Sequence, residues 1–239
     1  MFLSRGKLGL ASLLLLAVLL LTVSPSQAGV IAENFDNNEY NKNLWYKFEE
    51  GLGSSSSVIN NRLEITLPQS SGGTRYQGGV GSNFTLVGDF DMVVDFDLLT
   101  WPANNEAQIG LTIDQANDFS IFRRSRGVNE GGGGEIYFTM IKGQMTQVAA
   151  SGASGKLRMT RTGNTMAGSY WNGAAWQLVG SFTDPSLGLA TSVNLNLNRD
   201  TPFSGPIVKG AFDNIQLTYD QINYERGGNP GAALQLLLD

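Results

Sequence analysis

Asp89, Asp91, Asp95 and Asp97 alternate with other residues in the run DFDMVVDFDL. In an extended strand they share one face with Val93, while Phe90, Met92, Val94, Phe96 and Leu98 share the other. Such carboxylates could perform acid–base chemistry on a glycosidic bond. Side chains at i and i+2 stand ~7 Å apart, a spacing compatible with an inverting pair, with Asp95 and Asp97 as its members. A solvated face whose charges discourage edge pairing would have the same pattern.

A second constellation can bind rather than cleave. In KLRMTRTGNTMAGSYWNGAAWQL, from Lys156 to Leu178, the turn dipeptides Gly163-Asn164 and Asn172-Gly173 separate three strand-like runs. Two-residue turns fix which residues lie opposite each other, so the segment reads as an antiparallel meander. Its register places Lys156, Arg158 and Thr160 on one face with Ser169, Trp171 and Trp176. Leu157, Met159, Met166, Tyr170 and Val179 take the opposite, core-like face. Two indole rings beside basic and hydroxyl side chains suit a sugar, whose apolar face packs on a ring while donors bind its hydroxyls. Alternatively, Trp176 fills the interior with Leu178 and Phe182 at period 2. Trp101, beside Pro102, is a third candidate near a sheet rim. Asn194, Asn196 and Asn198 form an amide ladder between Val193, Leu195 and Leu197.

Composition restricts the chemistry. The chain has no cysteine and no histidine, which excludes disulfides, Cys or His metal ligands and any nucleophile activated by an imidazole of this chain. With 21 acidic residues against 16 basic ones, nucleic acid is a poor partner. Charged residues make up only 15% of the chain, below the usual ~25%, so the surface is largely polar and uncharged.

Arg5 and Lys7 precede an apolar run from Leu8 to Val23 that ends in SPSQA. This reads as a secretory signal peptide over residues 1–28, cleaved after Ala28. No cysteine follows for lipid attachment, so the expected product is secreted or periplasmic, with no stable membrane insertion. The segment 29–222 is expected to form one domain and 223–239 a tail. Period-2 runs recur between clusters of Gly, Asn, Asp and Ser, and no 3.6-residue apolar period is sustained. The class is all-β: an antiparallel jelly-roll sandwich of about a dozen strands, with Val80 to Leu86 and Asp89 to Leu99 as two of them. Gly51 to Ser57, Gly131 to Gly134 and Arg199 to Pro206 read as loops.

On the Lys156–Leu178 meander and the closing Phe212-Asp213-Asn214, the chain resembles the concanavalin A-like lectin/glucanase superfamily, including its laminin G-like members. The resemblance implies a β-sandwich whose first and last strands lie side by side, with carbohydrate as the partner. The Glu-x-Asp-x-(x)-Glu pattern of the glucanases has no counterpart in the aspartate run, which contains no glutamate. The expected function is therefore an exported, non-catalytic carbohydrate-binding module. The competing classes are a polysaccharide-degrading enzyme using aspartates and a structural surface protein. Arg161 and Asp213 fall on core registers and so are expected to be buried and partnered, with each other as one candidate pairing. Oxygen-only coordination of Ca²⁺ through Asp36 or Asp213 is a further expectation from the resemblance.

Overall fold

The computed structural model describes residues 28–113, 119–184, 190–200 and 204–224. Apart from Ala28, the proposed signal peptide lies outside the described residues, as does the tail beyond Tyr224. Sixteen strands are described: β1 (Gly29–Glu33), β2 (Trp45–Glu50), β3 (Ser55–Ile59), β4 (Arg62–Leu67), β5 (Tyr76–Ser82), β6 (Phe84–Thr100), β7 (Gln108–Ile113) and β8 (Phe119–Arg126). They continue with β9 (Gly134–Ile141), β10 (Gln144–Ala149), β11 (Ser154–Thr162), β12 (Thr165–Trp171), β13 (Trp176–Thr183), β14 (Ala190–Thr191), β15 (Val193–Arg199) and β16 (Val208–Tyr224). Among the described residues no helix is long and apolar enough to cross a membrane.

The strands form two antiparallel sheets packed as a sandwich. A nine-stranded sheet runs β13-β12-β11-β6-β16-β4-β3, with β1 on β16 and β14 on β6; a seven-stranded sheet runs β10-β9-β8-β7-β15-β5-β2. The first and last strands pair, with Ile31 opposite Leu217, as the resemblance implied. Period-2 alternation decides what enters the core. Phe90, Met92, Val94 and Phe96 of β6 meet Ile109, Leu111, Ile121, Leu195 and Leu197 of the facing sheet, and all are buried. Each such side chain removed from water contributes about 1.5–3 kcal/mol.

Four readings of the sequence change. Ser55 to Ser57 belong to β3, paired with β4, and not to a loop. The single strand expected from Val80 to Leu86 is two, β5 and β6, separated at Asn83; there Ser82 Oγ donates to Phe84 O and accepts from Val193 N. Arg199 ends β15 fully buried and donates to the carbonyls of Asn105, Pro68, Gly205 and Pro206, tying loops together. Asp213 is the fourth: a bulge between Asp213 and Gln216 places Asn214 at φ 49° and breaks the period-2 register. Ile215 and Leu217 still enter the core, whereas Asp213 lies opposite Asp95 on the outer face, half-buried. Arg161 is buried, with Nε donating to Gly163 O at 3.1 Å. It sits opposite Phe90 while Asp213 sits opposite Asp95. Five residues of β6, ~17 Å, separate the two, too far for an ion pair.

Candidate functional site

The outer face of the nine-stranded sheet carries most residues singled out from the sequence. The aspartates of β6 face outward as expected, but basic residues of neighbouring strands engage them. Arg158 Nε and Nη2 grip the two oxygens of Asp91 at 2.8 and 2.6 Å. Lys156 Nζ meets Asp95 Oδ1 at 2.6 Å, and Arg62 Nη1 meets Asp97 Oδ2 at 3.3 Å. Asn214 Nδ2 also donates to Asp95 Oδ2. The stripe is thus one side of a ladder of cross-strand ion pairs, the sheet counterpart of i,i+4 pairing on a helix.

Trp171 and Trp176 lie opposite each other across β12 and β13, their centroids 5.4 Å apart in an edge-to-face arrangement. The Arg158 guanidinium stands 5.5 Å from the centre of the Trp176 ring. The structure therefore brings Trp171, Trp176, Arg158 and Lys156 to one face, as the meander register required. It also commits both basic side chains to aspartates. Trp101 lies elsewhere, near the end of the sandwich, where Nε1 donates to Glu135 Oε2 at 3.2 Å. Buried Arg123 binds the same carboxylate and lies 5.6 Å from the Tyr137 ring.

Asp36 and Asp213 contribute to an acidic neighbourhood on the nine-stranded sheet. Burial, and then the charges of Asp95, Asp36 and Asp97, push the Asp213 carboxyl up, against a backbone hydrogen bond from Asn214 that lowers it. Asp36 accepts from Asn34 Nδ2. Among the described residues no group of three or more acidic side chains converges as a metal site.

A cavity of about 560 Å³ lies over the opposite sheet. Strand register builds its floor in three rows. One row runs Asn196, Gly110, Phe122, Phe138 and Gln147 across β15, β7, β8, β9 and β10. On one side lie Asn198, Gln108, Arg124 and Ile136; on the other, Thr112, Ser120, Met140 and Met145. Gly110 is required here, because a Cβ would stand 2.1 Å from Ile121 O and 2.8 Å from the Phe122 ring. Phe122 and Phe138 stack with centroids 5.4 Å apart and planes 24° apart. With Ile136 they form a small apolar cluster separate from the core between the sheets.

Polar groups flank that apolar floor. Asn198 Nδ2 donates to Asn196 Oδ1 at 3.1 Å, and Asn196 Nδ2 donates to Thr112 Oγ1 at 3.4 Å. Asn198 is 1% exposed, yet its Oδ1 has no hydrogen-bond partner. A buried acceptor left so costs about 1–3 kcal/mol, which a bound hydroxyl would recover. Glu130 and Asp200 are the carboxylates lining the cavity. Arg124 Nη2 meets Glu130 Oε1 at 2.7 Å, and Arg75 Nε lies 3.1 Å from Asp200 Oδ1.

Of the side chains singled out from sequence as binding candidates, Asn196 and Asn198 of the amide ladder line this groove. The missed signal was in FSIFRRSR, from Phe119 to Arg126, where Phe122, Arg124 and Arg126 alternate with the inward Ile121, Arg123 and Ser125. Aromatic and basic side chains on the outward face of a half-buried strand mark a binding surface more than a framework.

The fold is shared with solved structures of very different sequence. A glycosyl hydrolase family protein from Mycobacterium fortuitum is 12% identical and matches with a TM-score of 0.57, covering 78% of this chain and 98% of that one. A beta-1,3-glucanase from Mycobacterium marinum is 12% identical, with a TM-score of 0.56 over 78% and 97% of the two chains. The carbohydrate recognition domain of Emp47p is 10% identical, with a TM-score of 0.54 over 81% and 97%. No curated protein matches the chain by sequence. Residues 20–188 match the family described as "Protein of unknown function (DUF1583) C domain", and the chain belongs to that family.

Proposed function

We propose that the protein is an exported module that binds a carbohydrate chain, without cleaving it, in the groove over the seven-stranded sheet. The observation that carries this reading is the groove floor: the stacked Phe122–Phe138 pair lies outside the main core, flanked by amides and hydroxyls, with a buried acceptor free on Asn198. Sugars have apolar ring faces and hydroxyl rims, and this surface offers a partner to each. The names of the structural neighbours, a glycosyl hydrolase family protein, a beta-1,3-glucanase and a carbohydrate recognition domain, agree with such a ligand. The carboxylates support binding over cleavage. Glycoside hydrolysis uses two, and both of those in the groove are held by arginines.

Sugar stacking on the Trp171–Trp176 pair is a second reading, favoured by the two half-buried rings meeting beside Arg158. One experiment separates the two: affinity for a panel of polysaccharides, measured for wild type, Asn198→Ala and Trp171→Ala. The groove reading predicts at least a tenfold loss for Asn198→Ala and little change for Trp171→Ala. The reverse pattern would move the site to the other sheet. Binding of no glycan by the wild-type protein would overturn both.

A further inference from the structure

The groove has a charged end, and its charges do not cancel. Arg75, Arg124 and Arg126 line it against two carboxylates, Asp200 and Glu130. The first two arginines hold those carboxylates. Arg126 forms no ion pair among the described residues, and its Nε is buried without a hydrogen-bond partner. An arginine without an ion pair in this cavity stands out in a chain with 21 acidic residues against 16 basic ones.

The glycine run borders this guanidinium. Gly131 to Gly134 all have positive φ, between 70° and 100°, where side chains are strained. The turn passes close to Arg126: a Cβ on Gly134 would come within 3.4 Å of Nη2, and one on Gly131 within 3.6 Å of Nη1. A Cβ on Gly133 would collide with Asn104 Oδ1 at 2.1 Å. Side chains at Gly131 and Gly134 would lie in van der Waals contact with the guanidinium, and glycine leaves those sides of it uncovered.

We propose that the glycan bound in the groove is acidic, and that Arg126 recognises its anionic group, a uronate carboxylate or a sulfate ester. This rests on the groove being a carbohydrate site. Guanidinium matches either anion through parallel N–H donors, and such charge-assisted bonds are about twice as strong as neutral ones. Arg124 and Arg75 are already neutralised, which leaves Arg126 to discriminate an acidic sugar from a neutral one.

The test is calorimetric titration of wild type and Arg126→Ala with matched pairs: polygalacturonate against its methyl ester, and a sulfated galactan against its desulfated form. The expected result is at least tenfold tighter binding of one acidic member than of its neutral partner. That preference should weaken with added salt and be lost in Arg126→Ala at unchanged melting temperature. Whichever pair shows it identifies carboxylate or sulfate. If Arg126→Ala melts lower, Arg126→Gln, which keeps a polar side chain without the charge, must still lose the preference. Equal binding of charged and neutral members, insensitive to Arg126, would overturn this inference while leaving the carbohydrate reading intact. Binding of none of the four would overturn both. Equally tight binding of polyglutamate would show simple attraction of polyanions, and would also overturn it.

Discussion

Phe122 and Phe138 face each other across β8 and β9 on the outside of the sandwich, stacked 5.4 Å apart and each only 5% exposed. Aromatic pairs of this kind ordinarily join the core between the sheets. Here the alternation of β8 gives Ile121 to that core and turns Phe122 to the opposite side. The pair therefore forms the floor of a cavity rather than a link between layers.

Phe138→Ala should accordingly affect binding more than folding. Losing one stacked ring from a small satellite cluster is expected to cost about 2 kcal/mol, below the ~3–5 kcal/mol of a large aromatic in a main core. Glycan affinity should fall at least tenfold. Urea denaturation and calorimetric titration of the same variant measure the two effects.

Glu64 supplies a pH signature on the other sheet. Burial alone would raise its carboxyl, but hydrogen bonds from Lys209, Asn60 and Arg62 and the charge of Lys209 outweigh that effect and hold it at about 2, below the ordinary 4.5. A folded-state pKa below the unfolded one contributes stability that is present above the unfolded value and lost as pH falls towards the folded one. Glu64→Gln should therefore be less stable than wild type at pH 7, by roughly 3 kcal/mol. The gap should close between pH 4.5 and 2. Denaturation curves at several pH values test this, and a gap independent of pH would contradict it.

The opposite sign holds at Asp213, whose carboxyl is pushed up by burial and by neighbouring aspartates. A raised carboxyl contributes stability below its unfolded pKa, lost as pH rises through the folded one. Asp213→Asn should therefore melt higher than wild type at pH 7 and no higher at pH 3. Running the melts with chelator and with calcium separates repulsion from metal binding. Repulsion alone gives the gain in both; a calcium-induced stabilisation of wild type that the variant lacks would instead assign Asp213 as a ligand.

Asp95→Asn and Asp97→Asn test the enzyme alternative. Their ion pairs with Lys156 and Arg62 are partly exposed, so each substitution should change stability by less than about 1 kcal/mol. Neither should alter glycan binding, and wild type should release no reducing sugar from a broad polysaccharide panel. Hydrolysis by wild type that either variant abolishes would restore the acidic stripe as a catalytic site.

How much of this was legible from sequence depended on whether period 2 ran unbroken. Gly163-Asn164 forms the two-residue turn expected of it, whereas the turn expected at Asn172-Gly173 is a four-residue loop over residues 172–175; lengthening by two keeps the parity, so Trp171 and Trp176 still share a face with Lys156 and Arg158. Asp213 was misplaced because the bulge at Asn214 shifts every later residue by one, and asparagine at positive φ is not evident in an extended pattern. The groove was hidden for another reason. The residues of its floor come from five strands, and their proximity arises from the order β10-β9-β8-β7-β15, which no local pattern encodes. Asn196 was visible as one rung of a ladder, but its neighbours Phe122 and Thr112 lie far from it in the chain.

The most direct test of the groove as the binding site is protein-detected NMR, following backbone and side-chain amides as a bound oligosaccharide is titrated to saturation. The account predicts that the largest shifts fall on Asn196, Asn198, Gln108 and the amides of Phe122 and Phe138, with Trp171 and Trp176 indole signals unmoved. Shifts concentrated on Trp171 and Trp176, with the groove residues unchanged at saturation, would contradict it.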